Sequence, residues 1–239
     1  MCTLTYLLHE NGYELYFNRD EQRSRLLAIP PKLNHTNGAI YPLDPQGDGT
    51  WIAVNQRGLT LALLNYYQAP LNDNPHIVSR GKLILSLLDI GGDVIEQLKM
   101  MDLQVYQPFQ LCIFPEDLSI NNHKVHRVKW TGSELSLMNI DLPITSSSID
   151  FNDVFQKRKC RFNKTVDVNS PSSIQLKTFH FSTELIGKHS VNMQRPDAQT
   201  VSISHIVINH DISFKYFDNI LKKEHSTISV RASKLDMAS

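Results

Sequence analysis

Apolar and polar residues partly alternate along residues 2–18, as they do in strands with one buried face. The pattern is interrupted by Asn11-Gly12, a strong signal for a two-residue hairpin turn. With these two residues at the centre of the turn, Cys2 pairs with Glu21. Arg19 then lies diagonal to Cys2 on the same sheet face. The first hairpin is therefore predicted to bring a thiol close to a cation.

The rest of the chain divides into further strands and helices. Residues 22–50 are rich in Pro, Asn, Asp and Gly, which predicts a long surface loop of the lid or binding type. The remaining pattern predicts a hairpin over 51–65 and then a helix that starts either at Asn74-Pro75 or at Ser79 and runs to Gly92. It further predicts a helix over 93–101, strands over 108–114, 124–130 and 135–140, helices after Asp150 and within 172–184, and a closing hairpin over 200–217. Strand pairs at both ends with helices between them predict an α+β fold of two stacked sheets with helices outside, as one domain over residues 1–239.

Length and charge narrow the function. The chain has 239 residues, 41% of them hydrophobic, which is enough for a sizeable core without metals or disulfides. Lys plus Arg equals Asp plus Glu at 24 each, so there is no excess positive charge to bind a nucleic-acid backbone. Nucleic acid is therefore not an expected partner.

The compartment is predicted from what the sequence lacks. The first residues do not resemble a signal sequence, and no run of about 18 apolar residues is present, so no membrane span is expected. Three cysteines with no paired spacing fit reduced thiols better than a disulfide framework. The sequence predicts a cytoplasmic protein, with no metal and no cofactor.

Cys2 is the strongest candidate for chemistry. Removal of Met1 would leave a residue with both a thiol and a free α-amine, and an amine of pKa about 7.7–8.0 can accept the proton of a thiol whose pKa is about 8.5. Arg19 on the same face would favour the thiolate, and Asp20 or Glu21 could orient the amine or Arg19. The alternative is that Cys2 is a small buried hydrophobe and that residues 18–21 form a solvated turn.

Several segments resemble a known family. Met1-Cys2-Thr3-Leu4 followed by Asn18-Arg19-Asp20-Glu21 resembles the NRDE family, which is named for that tetrapeptide and includes the transport-and-Golgi-organisation proteins. Further matching segments are Gly49 to Asn55, Ser79-Arg80-Gly81, and Asp197-Ala198 with Thr200 to Ser202. The family is similar in turn to the cysteine N-terminal-nucleophile hydrolases that cleave bile salts and penicillin V. The resemblance implies their four-layer αββα sandwich.

The resemblance also implies site residues. The catalytic roles fall on Cys2 as nucleophile, on Arg19 and Asp20 beside it, and on Asn65 as an oxyanion donor. Substrate-binding roles fall on four residues: Asn18, Glu21, Ser146 and Arg195. Ser146 stands where the hydrolases have a second oxyanion Asn, and its side chain has a shorter reach.

Two functions follow from this resemblance. The first is an N-terminal-cysteine amidohydrolase or acyl-transfer enzyme with a small amide or acyl substrate. The second is a non-catalytic carrier that binds haem or an acyl-lipid in the same cleft, consistent with the family's proposed links to haem trafficking and lipid homeostasis. The basic run Lys157 to Arg161 is interpreted as a solvated helix face that could attract an anionic ligand.

Overall fold

The computed structural model describes residues 1–90 and 92–232, and these form thirteen β-strands and four α-helices. In chain order they are β1 (Cys2–His9), β2 (Gly12–Gln22), β3 (Ile29–Leu33), β4 (Ile40–Leu43), β5 (Ile52–Val54), β6 (Thr60–Asn65), α1 (Arg80–Ile90), α2 (Val94–Met100), β7 (Phe109–Phe114), β8 (His126–Trp130), β9 (Leu135–Leu137), β10 (Ile144–Ser146), α3 (Phe151–Thr165), α4 (Ser173–Phe181), β11 (Ala198–Ile208), β12 (Asp211–Asp218) and β13 (Lys223–Val230). The predicted helix end at Gly91 and the last seven residues of the predicted domain lie outside the described residues.

Two antiparallel sheets form the centre of the molecule. Sheet A has the order β10-β1-β2-β11-β12-β13, and sheet B has the order β3-β4-β5-β6-β7-β8-β9. A large apolar core lies between them and includes Leu4 and Phe17 of sheet A and Ala62 and Phe114 of sheet B. The sheets therefore stack face to face through their apolar sides.

Helices cover the outer face of each sheet. Leu83 and Leu87 of α1 pack with Leu61 of sheet B, while Phe162 of α3 and Phe179 of α4 pack in a second cluster on sheet A. The layer order is helices, sheet B, sheet A, helices, which confirms the predicted αββα sandwich. Among the described residues, no helix combines the length and the apolar character needed to cross a membrane.

Helix starts follow the sequence signals in most cases. Asp93 caps α2 by accepting hydrogen bonds from the backbone of Ile95 and Glu96, and Ser172 starts α4 with a capping box. Asp150 occupies the N-cap position of α3 as predicted, but with a left-handed backbone and no side-chain cap. Its carboxylate is paired with Lys188 instead.

The predicted register of the first hairpin was wrong by two residues. Cys2 pairs with Arg19, and His9 pairs with Gly12, so the loop is Glu10-Asn11. The reason lies in the neighbouring strand: Gly12 has φ +150°, and a Cβ at this position would lie 1.9 Å from the carbonyl oxygen of Ile208. Only glycine fits this close approach to β11. A shift of two residues keeps every side chain on its predicted face.

Four strands were not predicted. Residues 22–50, predicted as a continuous loop, contain β3 and β4, which extend sheet B at its edge. The short strand β10 borders β1, and β13 follows β12, so the predicted closing hairpin is not the end of sheet A. All four lie on or next to a sheet edge, where short length and exposed positions weaken the apolar signal.

Gly12→Ala should destabilise the protein strongly because the added methyl group overlaps the Ile208 carbonyl. We expect the free energy of unfolding to fall by about 3 kcal/mol, measured by urea denaturation. Gly187→Ala is a matched control, since Gly187 also has a positive φ (+61°) but nothing within 4 Å of its Cβ position. The control should lose only about 1 kcal/mol, and equal losses in the two variants would contradict the steric argument.

Candidate active site

The first hairpin places Cys2 between two strands. Within sheet A, Cys2 of β1 pairs with Arg19 of β2 on one side and with Ser146 of β10 on the other. Directly opposed antiparallel residues point to the same face, so the Cys2 and Arg19 side chains both face sheet B. Cys2 is half-buried.

Arg19 links the two sheets. Its guanidinium lies 4.2 Å from the centre of the Trp51 ring, and its Nη2 is 3.2 Å from Asp44 Oδ2 and 3.4 Å from Glu21 Oε2. Arg25 adds a second contact to the same Asp44 oxygen at 2.6 Å. Burial alone would raise the pKa of Asp44, but the hydrogen bond from Arg25 and the charges of both arginines outweigh it and lower that pKa. This network fixes the cation beside Cys2.

Asp20 points to the other face of sheet A. Its Oδ2 lies 3.2 Å from Arg158 Nη2 of α3, and its Oδ1 accepts a 2.6 Å hydrogen bond from Thr200. The side chains of Asp20 and Arg158 are both 0% exposed. Arg158 also donates to Thr3 on β1 and to the Ser190 carbonyl. The predicted solvated face of α3 is thus wrong at Arg158, because this guanidinium is the buried partner of the Asp20 carboxylate.

Asn18 lies on the same outer face and does not reach the cleft. It is fully buried, and its amide donates to the carbonyls of His180 and Val191. The His180 ring is bonded to Asn18 Oδ1 at 2.6 Å and to Thr5 Oγ1 at 2.7 Å. Burial, followed by the charges of His205 and Arg158, places the pKa of His180 well below its ordinary value. The structure thus gives Asn18 a packing position rather than a substrate-facing one.

Met1 occupies a defined place beside Cys2. It is 8% exposed, and its side chain packs with Val154 and Met193. Its carbonyl accepts a 2.9 Å hydrogen bond from the Asp20 backbone N–H, and its ammonium group lies 3.3 Å from the Asp20 carbonyl. With Met1 in place, burial raises the pKa of the Cys2 thiol, and the nearby amino terminus and Arg19 offset this only in part. The thiol is therefore protonated at neutral pH in this form.

A cleft of about 430 Å³ opens in front of Cys2. It lies between the end of sheet A and the residues at the start of α1. Its lining includes Met1, Cys2, Arg19, Asp20, Glu21, Arg25, Asp44, Gly47, Trp51, Asn65, Tyr67, Ser79, Arg80 and Gln107. The walls are thus rich in charged and polar groups.

Hydrogen-bond donors near the cleft are partly unused. Asn65, the last residue of β6, donates to Tyr67 Oη at 2.6 Å. Trp51 Nε1 and Ser146 Oγ are buried and have no hydrogen-bond partner among the described residues. Ser146 neighbours Cys2 on β10 but is not part of the cleft lining.

Arg195 lies on the far side of Met1. Its guanidinium pairs with Asp197, and its Nη1 is 3.4 Å from the Met1 sulfur. The structure therefore brings together Cys2, Arg19, the Asp20 backbone, Glu21 and Asn65, and leaves Asn18 and Arg195 outside the cleft.

Three contributors to the site were not predicted as such: Asp44, Trp51 and Arg158. Asp44 lies just after β4, which was predicted as loop, and Trp51 directly precedes β5, the first strand of the second hairpin. For Arg158, the spacing Val154, Arg158, Phe162 places it on the apolar stripe of α3, and this signal was available in the sequence.

The fold defines a class of protein. The chain is similar to a mutant conjugated bile acid hydrolase from Clostridium perfringens, with a TM-score of 0.53 and 12% identity over 98% of this chain and 97% of that one. It is also similar to the Caenorhabditis elegans orthologue of N-acylethanolamine-hydrolyzing acid amidase, with a TM-score of 0.57 and 10% identity over 87% and 92% of the two chains. The fold is that of the N-terminal-nucleophile hydrolases.

Residues 1–231 match the family described as Transport and Golgi organisation 2, and the chain belongs to this family. This confirms the resemblance stated from the sequence. A curated relative, the Transport and Golgi organization protein 2 homolog of Bos taurus, is 31% identical over 109 residues, which are 43% of this chain. The match spans 39% of the length of that relative.

Arg158→Met should strongly destabilise the protein, because it leaves the Asp20 carboxylate buried without its partner. We expect a loss of about 3–5 kcal/mol in the free energy of unfolding, measured by urea denaturation. Adding Asp20→Asn should recover part of this loss. Arg161→Met, on the same helix, breaks the pair with Glu184, which is 65% exposed, and should cost at most about 1 kcal/mol. A similar cost for both arginines would contradict a special role of the buried pair.

Acid should destabilise the fold in part through His180. Its pKa in the folded state is well below the value of about 6.5 expected in the unfolded chain. The unfolded state therefore binds more protons below about pH 6.5, and stability falls as the pH falls through that range. Urea denaturation between pH 5 and 7.5 should show a shallower decline for His180→Gln than for the unaltered chain. An identical pH dependence would exclude this contribution.

Proposed function

We propose that the chain, once Met1 is removed, is an N-terminal-cysteine amidohydrolase or acyl-transfer enzyme. The observation that carries the proposal is the position of Cys2 at the cleft, directly opposite Arg19. The two solved structures that share this fold are named a conjugated bile acid hydrolase and an N-acylethanolamine-hydrolyzing acid amidase. Both names describe hydrolases, and this supports a hydrolytic reaction for this chain.

In the proposed reaction, the Cys2 sulfur attacks the carbonyl carbon of an amide while its thiol proton moves to the α-amine of the same residue. The carbon–nitrogen bond then breaks, the leaving amine takes that proton, and a thioester remains on Cys2. Water attacks the thioester in the hydrolase, and an acceptor amine or alcohol does so in the transferase. Either step restores the thiol.

The neighbouring residues have supporting roles in this proposal. Arg19, held by Asp44 and Trp51, favours the thiolate over the buried thiol. Asn65 donates to the oxyanion from the end of β6, where its amide retains one hydrogen beyond the bond to Tyr67. The Asp20 carboxylate supports the site from the outer face of sheet A, because its pair with Arg158 holds the end of β2 against α3.

The carrier hypothesis has less support from the structure. A haem or an acyl chain needs a largely apolar slot, and the cleft in front of Cys2 has arginines and carboxylates on its walls. Binding of haem without any acyl adduct on Cys2 would favour the carrier.

Removal of Met1 and the reactivity of Cys2 can be measured together. After incubation with an activated acyl amide probe, the intact mass should show loss of Met1 and one acyl group on Cys2. Cys160→Ala should react like the unaltered chain, because Cys160 lies on α3 and is not part of the cleft lining, whereas Cys2→Ala should gain no stable adduct. Retention of Met1, or acylation that survives Cys2→Ala, would contradict the proposal.

The Met1-retaining form, obtained with an inhibitor of methionine aminopeptidase, is a second test. Burial raises the pKa of its Cys2 thiol, so alkylation of Cys2 by iodoacetamide should be slow at pH 7 and should rise well into the alkaline range. The trimmed form should react faster at pH 7. Equal rates in the two forms would show that the α-amine does not activate the sulfur.

A further inference from the structure

The charges on the cleft wall are almost fully paired. Arg19 and Arg25 share the carboxylates of Asp44 and Glu21. The Asp20 carboxylate is turned away from the cleft toward Arg158. These contacts account for every carboxylate of the lining, because its acidic residues are Asp20, Glu21 and Asp44.

Arg80 is the cation that remains. Its Nη1 donates to the Pro108 carbonyl at 2.8 Å, and within residues 1–90 and 92–232 no carboxylate oxygen lies within 4.0 Å of its guanidinium. Burial lowers the pKa of Arg80, only partly offset by the nearby Tyr67, Cys2 and Glu21. A partly desolvated guanidinium with unused donors is unfavourable for the fold alone, and an anion in the cleft would compensate it.

The backbone holds Arg80 in this position by a close approach of two glycines. A Cβ on Gly49 would lie 2.5 Å from the carbonyl carbon of Gly81, and a Cβ on Gly81 would lie 2.8 Å from the backbone nitrogen of Thr50. The Thr50 N–H donates to the Gly81 carbonyl at 3.2 Å. The start of α1 is thereby held against Thr50 and Trp51, the residues that lead into β5, and Arg80 faces the same space as Cys2.

Tyr67 supplies a second donor to this space. Its oxygen accepts from Asn65, which leaves the phenolic proton free to donate. Burial is the main cause of the raised pKa of Tyr67, so this proton is retained at neutral pH. A guanidinium with free N–H groups and a neutral phenol together match the two oxygens of a carboxylate.

We propose that Arg80 and Tyr67 bind a carboxylate group on the substrate, so that the enzyme acts on amides with an anionic end. This inference rests on the proposed function for its substrate, but the binding of the carboxylate can be tested without turnover. The preference arises from one unpaired cation, which an uncharged amide leaves unsatisfied.

The test compares hexanoylglycine with hexanoylglycinamide, which differ only in the carboxylate. Calorimetric titration uses the Cys2→Ala chain, in which neither ligand can be turned over. We expect the carboxylate to bind at least about tenfold more tightly, because charge-assisted hydrogen bonds are stronger than neutral ones. Arg80→Gln should reduce the preference to about twofold or less, and Tyr67→Phe should reduce it in part.

Lys82→Gln is the matched control. It removes a charge from the same helix, but Lys82 pairs with Asp48 and is not part of the cleft lining, so the preference should remain. Equal affinity for the two ligands, no binding of the carboxylate at millimolar concentration, or a preference that survives Arg80→Gln would overturn the inference. If Arg80→Gln does not fold, Arg80→Lys and Tyr67→Phe are titrated with the same two ligands instead. A carboxylate preference that is unchanged in both variants would then overturn the inference. A carboxylate preference without acylation of Cys2 in the unaltered chain would reject the proposed function and keep this inference.

Discussion

Strand β2 holds the candidate site together because neighbouring residues on its two faces bind different parts of the fold. Arg19 points toward sheet B and meets Asp44 and Trp51, while Asp20 points toward the helix layer and meets Arg158. One face thus supplies a cation beside Cys2, and the other anchors the same strand end in a buried ion pair. Strand β1, which carries Cys2, depends on both, since it pairs with β2 along its whole length.

Polar groups behind the sheet complete this anchoring. Asn18, Thr5 and His180 form a buried hydrogen-bonded set, and Thr3 and Thr200 contact the Arg158–Asp20 pair. Buried polar groups stabilise a fold only when they are satisfied. These side chains bond to one another and to backbone carbonyls, although Arg158 Nε has no hydrogen-bond partner among the described residues. The tetrapeptide Asn18 to Glu21 therefore divides between the two faces of β2: Arg19 and Glu21 line the cleft, while the side chains of Asn18 and Asp20 contact the helix layer side of sheet A.

The sequence predicted the fold where its signals were local and apolar. The alternation in β1 and β2, the helical patterns over 93–101 and within 172–184, and the hairpin pattern over 51–65 all lead to elements that the structure contains. The hairpin register depended instead on a contact between Gly12 and Ile208, which are far apart in the chain. No local pattern contains such a contact.

The same distinction applies to the site. Cys2 and Arg19 were placed on one face correctly because the register error was two residues, and a shift of two leaves every side chain on its face. The partners Asp44 and Arg158 come from distant segments, so their contacts are set by the packing of the sheets and the helices. That Arg80 has no carboxylate partner among the described residues is likewise visible only once the neighbouring charges have positions.

The buried stripe of α3 has a consequence for natural variation in this protein. Val154, Arg158 and Phe162 recur every four residues on the buried side of the helix, whereas Lys157 and Lys164 point to solvent. Tolerance to amino-acid replacement should therefore rise and fall once per helical turn. A basic residue in this helix cannot be judged harmless from its type alone, because Arg158 holds the strand that carries the candidate site.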